Sequence, residues 1–194
     1  MLSLLGTPLA PQVNIEGFPF LTQILGQKLT SVHVVADDVT ETGTAGVSLA
    51  NVDVRLRGLT SPDRFRTFNA ERADGSATLD YATAEKLVHL PLSYAGENRL
   101  KISVQTKLVA IPVTAEIVGR PDVNEADQTF TLADPKITMA GVDVPEATSE
   151  SLLQTLVKPM PITGVPFGLS VSDITAQPDG LNAVVLGDDI TFSR

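Results

Sequence analysis

The sequence predicts an α+β fold in which a long antiparallel sheet wraps one or two helices, and three observations predict it. Apolar and polar residues alternate at period two through most of the chain, the pattern of strands with one buried face. Turn chemistry punctuates those stretches at short intervals, and only a few segments carry a helical stripe. A length of 194 residues fits a single domain over 1–194, able to bury roughly 70% of its unfolded surface.

The elements follow in order. Val13 and Ile15 alternate with polar neighbours as a first strand, and Leu21 to Gly26 reads as a short helical segment after Gly17-Phe18-Pro19-Phe20. Val32, Val34 and Ala36, then Val47, Leu49, Val52, Val54 and Leu56, mark two strands over 29–39 and 47–56. The link Thr40-Glu41-Thr42-Gly43-Thr44 makes them a hairpin, and the phase shift between Asn51 and Val52 predicts a bulge. Residues 58–76 read as a polar loop, followed by a short strand over 77–81 and a helix from about Thr83 to His89.

Alternation resumes over 99–108, 109–118 and 129–144, a meander broken at Gly119-Arg120-Pro121-Asp122 and at Ala133-Asp134-Pro135. Thr148 can cap a helix over 149–158, with Glu150 in its first turn, a stripe of Leu152, Leu153, Leu156 and Val157, and Pro159 and Pro161 beyond its end. The last strands are 167–171, 181–186 and 189–192, with Pro178-Asp179-Gly180 as a turn. Gly164-Val165-Pro166-Phe167 repeats the Gly-x-Pro-Phe of Gly17 to Phe20. Duplicated sheets around a shared helix would produce this echo, and so would chance.

Charge excludes some functions. The formal net charge is −9, and residues 121–194 hold eleven Asp or Glu against Lys136, Lys158 and Arg194. Nucleic acid is therefore not an expected partner, since such binding needs a basic face. Electrostatic adsorption to anionic membranes is disfavoured for the same reason. Cysteine is absent, which removes disulfides, thiolate metal sites and Cys nucleophiles together. The longest apolar run, Leu108 to Val113, is too short to span a bilayer. The start, Met1-Leu2-Ser3-Leu4-Leu5-Gly6, lacks the basic region and apolar length of a secretory signal, so either the protein is not exported or an export segment has been removed.

The run Pro11-x-Val13-x-Ile15-x-Gly17-Phe18-Pro19-Phe20-Leu21-Thr22-Gln23, followed by the Val32-x-Val34-x-Ala36 alternation, resembles the actinobacterial LmeA family of cell-envelope phospholipid-binding proteins. The resemblance is specific over residues 11–39. It implies a BPI-like fold of the tubular lipid-binding superfamily, its curved sheet enclosing an apolar tunnel. It further implies noncovalent phospholipid binding or transfer in the cell envelope or periplasm, transient membrane contact, and a role in maturation of mannosylated lipoglycans of the lipomannan type. No enzymatic step and no cofactor are implied. The chain departs from the family in lacking an exported leader and nearly all of the amphipathic stretch that usually precedes the Pro-x-Val-x-Ile segment.

Candidate site residues divide into two sets. Phe18, Phe20, Leu21, Ile24, Leu25 and Phe167 are candidates for lipid contact, because rigid rings beside proline present apolar area at little entropic cost. The same rings would serve equally as a plug of the core. Arg55, Arg57, Arg64 and Arg66, with Arg72, form the one Arg-dense stretch, and Arg55 and Arg57 share a strand face. Forked guanidinium donors suit a lipid phosphate, while pairing with Asp63 and Glu71 would make them an ordinary solvated face. The segment Phe18 to Gly26 and the loop 58–76 are the candidate gates.

Other chemistry has weaker support. His33 and His89 lie on different predicted elements, and Asp37, Asp38, Asp188 and Asp189 form no ligand spacing with them, so no metal is expected. Gly168-Leu169-Ser170-Val171-Ser172 lacks the second glycine of a nucleophile elbow and sits in a strand pattern. A β-sandwich that binds a protein through its loops is the first alternative. An envelope enzyme with paired carboxylates acting on lipid-linked sugars is the second.

Overall fold

The computed structural model describes residues 5–6, 11–37, 39–41, 48–63, 66–108, 111–139, 141–144, 158–163, 165 and 168–193. Antiparallel sheet accounts for 69% of the fold, one sheet curling into a half-barrel, with two helices among the described residues. The balance bears out the sheet-dominated α+β expectation. The chain forms two compact units, one of residues 1–78, 163–172 and 183–194, the other of residues 79–162 and 173–182.

In the first unit, β2 (Gln12–Glu16) leads through Gly17, a cis Phe18–Pro19 peptide bond and helix α1 (Phe20–Leu25) into β3 (Lys28–Ala36). Strand β3 pairs with β2 on one side and with β5 (Ser48–Thr60) on the other. Two short strands, β1 (Leu5–Gly6) and β4 (Val39–Glu41), pair with each other, and β4 also pairs with β5. Beyond β5 the sheet continues through β6 (Thr67–Leu79), β14 (Gly180–Ser193) and β13 (Ser170–Gln177), of which residues 173–182 belong to the second unit. Leu29, Val32, Leu59, Ala70, Ala73 and Ile190 form its buried core, and the rings of Phe68 and Phe192 stack with centroids 5.4 Å apart.

The second unit is a meander of β7 (Leu92–Gly96), β8 (Arg99–Leu108), β9 (Ile111–Asn124), β10 (Thr129–Met139) and β11 (Val142–Asp143), with β12 (Met160–Pro161) added on β10. Helix α2 (Tyr81–Val88) begins at Asp80, whose carboxylate accepts the Thr83 N–H at 2.8 Å and the Thr83 hydroxyl at 2.9 Å. Its Ala84 joins Leu100, Ile102, Ala115, Ile117, Phe130, Leu132 and Ile137 in one core, in which Leu100 and Ile117 are fully buried. Burying such side chains contributes about 1.5–3 kcal/mol each, so this packed apolar face is a main source of the unit's stability.

Several sequence expectations hold and four are corrected. The two strands of the predicted 29–39 and 47–56 hairpin pair antiparallel, with residues 42–47 of the link outside the described residues, and the short helix at 21–26, the helix near 83–89, the meander and the Pro178 turn are present. Asn51, where the phase shift predicts a bulge, has φ +49°. Residues 58–76, read as a polar loop, are mostly strand, since β5 runs to Thr60 and β6 begins at Thr67. The core side of β6 is built from Ala70, Ala73 and Thr78, small residues that change phase between Ala70 and Ala73 and so carry no visible period.

The predicted break at 119–122 is absent. Strand β9 continues to Asn124, and Pro121 faces Leu132 of β10 just past the last β8 pair at Leu100 and Gly119, where no donor towards β8 is needed. The break at 133–135 is a bulge within β10, where the register shifts between Ala133 and Lys136 and Arg120 pairs with Asp134. Likewise 181–186 and 189–192 are one strand, with Asp189 at φ +53° between them. The predicted helix over 149–158 falls on 145–157, outside the described residues, as does the echo at 164–167 apart from Val165.

Candidate lipid-contact face

Strand register sorts the side chains of β2, β3 and β5 into two faces. Val13 pairs with Val34, which pairs with Val54, and Ile15 pairs with Val32, which pairs with Leu56. These two cross-strand rows are wholly aliphatic. Intervening positions give the rows Gln12–Val35–Asp53, Asn14–His33–Arg55 and Glu16–Ser31–Arg57, which by strand alternation point the other way. One face of this corner is hydrocarbon and the other is polar.

Coverage of the aliphatic face is uneven. Val32 is buried and Val34 and Leu56 pack against the core, yet Val13 is 51% and Ile15 37% exposed on the same face. The apolar surface therefore runs out of the core to the β2 edge without a polar residue in either row. The second unit makes the contrast, since α2 contributes to the packed core on its apolar face.

The β2–β3 turn extends this surface. Gly17 has φ +110°, and a Cβ there would meet the Gln23 amide 2.6 Å away, so only glycine fits the turn without strain. Helix α1 spends its polar side chains internally: the Thr22 hydroxyl donates to the Pro19 carbonyl at 2.8 Å, and the Gln23 side-chain oxygen accepts the Thr30 N–H at 2.9 Å. Ile24 packs on the core. What remains outside is apolar, with Phe18 96%, Leu21 71% and Leu25 83% exposed. Leu21 and Leu25, one turn apart, share a face.

Of the six lipid-contact candidates, the structure therefore brings Phe18, Leu21, Ile24 and Leu25 together, with Ile24 inward and the other three outward. Phe20 opens the helix, its side chain outside the description, and Phe167 lies outside the described residues. Val13 and Ile15 were missed as site residues, although their alternation was visible. What identifies them is the register that sets them beside Val34 and Val32.

The arginines are dispersed. Arg57 pairs with Asp74 at 2.9 Å, and Arg55 sits beside His33 on the polar face, its Nε buried without a hydrogen-bond partner in the protein. His33 Nε2 lies 2.8 Å from Asp53, and an open hollow of about 390 Å³ lies over Gln12, Val13, Asn14, His33 and Val35. Arg66 is elsewhere, exposed on the turn after β5, where its N–H and that of Thr67 donate to the Asp63 carboxylate at 3.1 and 2.6 Å. These bonds, the Thr67 backbone one foremost, hold the Asp63 carboxyl below its ordinary value. The Ser61 N–H donates to the Gln27 carbonyl at 3.0 Å, which ties this turn to the end of α1. Arg64 lies outside the described residues.

Among the described residues no three His, Asp or Glu side chains group as a metal site, and no helix is long and apolar enough to cross a membrane. The first unit thus carries an aliphatic sheet edge and an apolar tip, both exposed. The chain belongs to the LmeA-like phospholipid-binding family, whose family model matches residues 2–185, nearly its whole length. No curated protein and no solved structure matches it.

Proposed function

We propose that this protein is a noncovalent phospholipid carrier, not an enzyme, whose first unit receives acyl chains on the aliphatic rows of β2, β3 and β5. The observation that carries the reading is the continuity of Val13–Val34–Val54 and Ile15–Val32–Leu56 from buried core to exposed edge, in a chain that belongs to a phospholipid-binding family. Transfer of a chain from water to such a surface is worth about 0.8 kcal/mol per buried methylene, so a modest length of acyl chain suffices for binding. A BPI-like tunnel is the arrangement this face would complete.

The headgroup phosphate is assigned to Arg66 beside the tip, because Arg55 and Arg57 lie on the opposite face of the sheet. The same proposal includes a location in the actinobacterial cell envelope or periplasm and a part in lipoglycan maturation, with phospholipid and not nucleic acid as the ligand; the phospholipid-binding family supports the ligand. Native mass spectrometry with lipid extraction, on protein purified from an actinobacterial host, tests this. Near-stoichiometric diacyl phospholipid is the expected result. Protein that arrives empty and takes up no added phospholipid would overturn the reading in favour of a protein-interaction module.

A further inference from the structure

We infer that Phe18 and the outer face of α1 form the surface by which this protein docks on a phospholipid bilayer, inserting Phe18, Leu21 and Leu25 into the interface. The inference rests on the carrier reading for its purpose, but on separate residues and a separate measurement. Three large apolar side chains stand at 96, 71 and 83% exposure within eight residues. The polar groups of the helix and its C-terminal end are already used: Thr22 on the Pro19 carbonyl, Gln23 on the Thr30 N–H, the Gly26 N–H on the Thr22 carbonyl, and the Gln27 carbonyl on the Ser61 N–H.

The occupant follows from that inventory. A protein partner needs roughly 800 Å² on each side and directional polar contacts around an apolar centre. Three side chains with no free polar neighbour of their own on the helix supply neither. A bilayer asks for no directional contact, and shallow insertion of a few rings and branched chains is enough for reversible attachment. Position agrees with this, because Ile24 on the inner side of the same helix packs against the core that contains Val32 and Leu59. The tip is thus continuous with the aliphatic rows, and a chain leaving the bilayer meets hydrocarbon throughout.

Among the described residues, charge at the tip is balanced. Exposed Lys28 and Arg66 are matched by exposed Glu16 and by Asp63, whose charge is held by its hydrogen bonds to Thr67. With a net charge of −9 on the whole chain, attachment is driven by insertion and not by anionic lipid. It is therefore insensitive to salt and requires no acidic headgroup.

The chain contains no Trp, so Phe18→Trp gives a single fluorophore at the tip. With phosphatidylcholine vesicles the emission shifts to the blue, brominated acyl chains quench it, and high salt leaves both effects in place. The double variant Leu21→Ser/Leu25→Ser, at exposed positions, keeps the wild-type circular dichroism and melting temperature and binds vesicles at least ~10-fold more weakly.

An emission unchanged by vesicles, or a shift seen only with native membranes that carry protein, overturns the inference. So does wild-type vesicle binding by the double variant. Phospholipid content measured on the same preparations separates the two claims. Bound lipid without a tryptophan shift removes the docking tip and leaves the carrier, whereas a shift without bound lipid keeps the tip and removes the carrier.

Discussion

Asp80 shows how much one side chain decides at a helix start. Its carboxylate satisfies the Thr83 N–H, an orphan donor of the first turn, and holds the Thr83 hydroxyl as well. Asp80→Ala is expected to lower stability by about 1 kcal/mol, read as an earlier urea midpoint with unchanged slope. The next residue, Tyr81, donates to the Gln177 carbonyl at 2.7 Å. Burial, with smaller contributions from Tyr94 and Asp179, pushes its hydroxyl from 10.0 up to about 12. Between those values the unfolded chain has lost a proton that the folded one keeps, so stability is whole below pH 10 and declines as the pH rises towards 12. Tyr81→Phe should flatten that decline while costing about 1 kcal/mol at neutral pH for the lost hydrogen bond. Melting curves of both proteins across the alkaline range check it. Asp63 has the opposite sign: its contribution is present above the ordinary carboxylate value and is lost as the pH falls through the lowered one.

At the level of elements, the turn between β2 and β3 depends on Gly17. Gly17→Ala places a Cβ at φ +110° against Gln23, and a loss of more than ~1 kcal/mol is expected, with weakened protection of the Thr30 amide in hydrogen exchange. Strands β3 and β5 were legible because branched aliphatics fall on every second position. Strand β6 was not, since its buried residues are alanines and a threonine, too small to raise a hydrophobic period. The stretch around Pro121 misled for a different reason: proline stops a central strand, but here β9 has already outrun its β8 neighbour. For the site, the sequence marks Leu21, Ile24 and Leu25 as equally apolar. Only tertiary packing decides that Ile24 turns in and the two leucines turn out. Ile15→Asp on the exposed edge should sharply reduce uptake of a fluorescent phospholipid while leaving the fold intact, as a charge there interrupts the row that continues to Val32 and Leu56.

Across the whole molecule, the cores of the two units predict different consequences of change. Leu100→Ala in the second unit removes a fully buried side chain and should cost ~2–5 kcal/mol, with little change in lipid affinity per folded molecule. The first unit leaves apolar area open, so its ligand should be part of its stability. Lipid held at a hundred times its dissociation constant adds about 2.7 kcal/mol, and delipidation should lower the melting temperature accordingly. The two-faced corner of β2, β3 and β5 also constrains how the gene can change. Residues in a strand face opposite ways in turn, so deleting one residue at the start of β3, such as Thr30, with the rest of the strand kept in register from its N-terminal end, would slide Ser31, His33 and Val35 onto the hydrocarbon side and carry Val32 and Val34 to the polar one. Losing two would preserve the facing. Length variation in this corner is therefore tolerated in even steps within the strands and in single steps only beyond them, and a descendant that loses one residue of β3 inherits a sheet turned inside out.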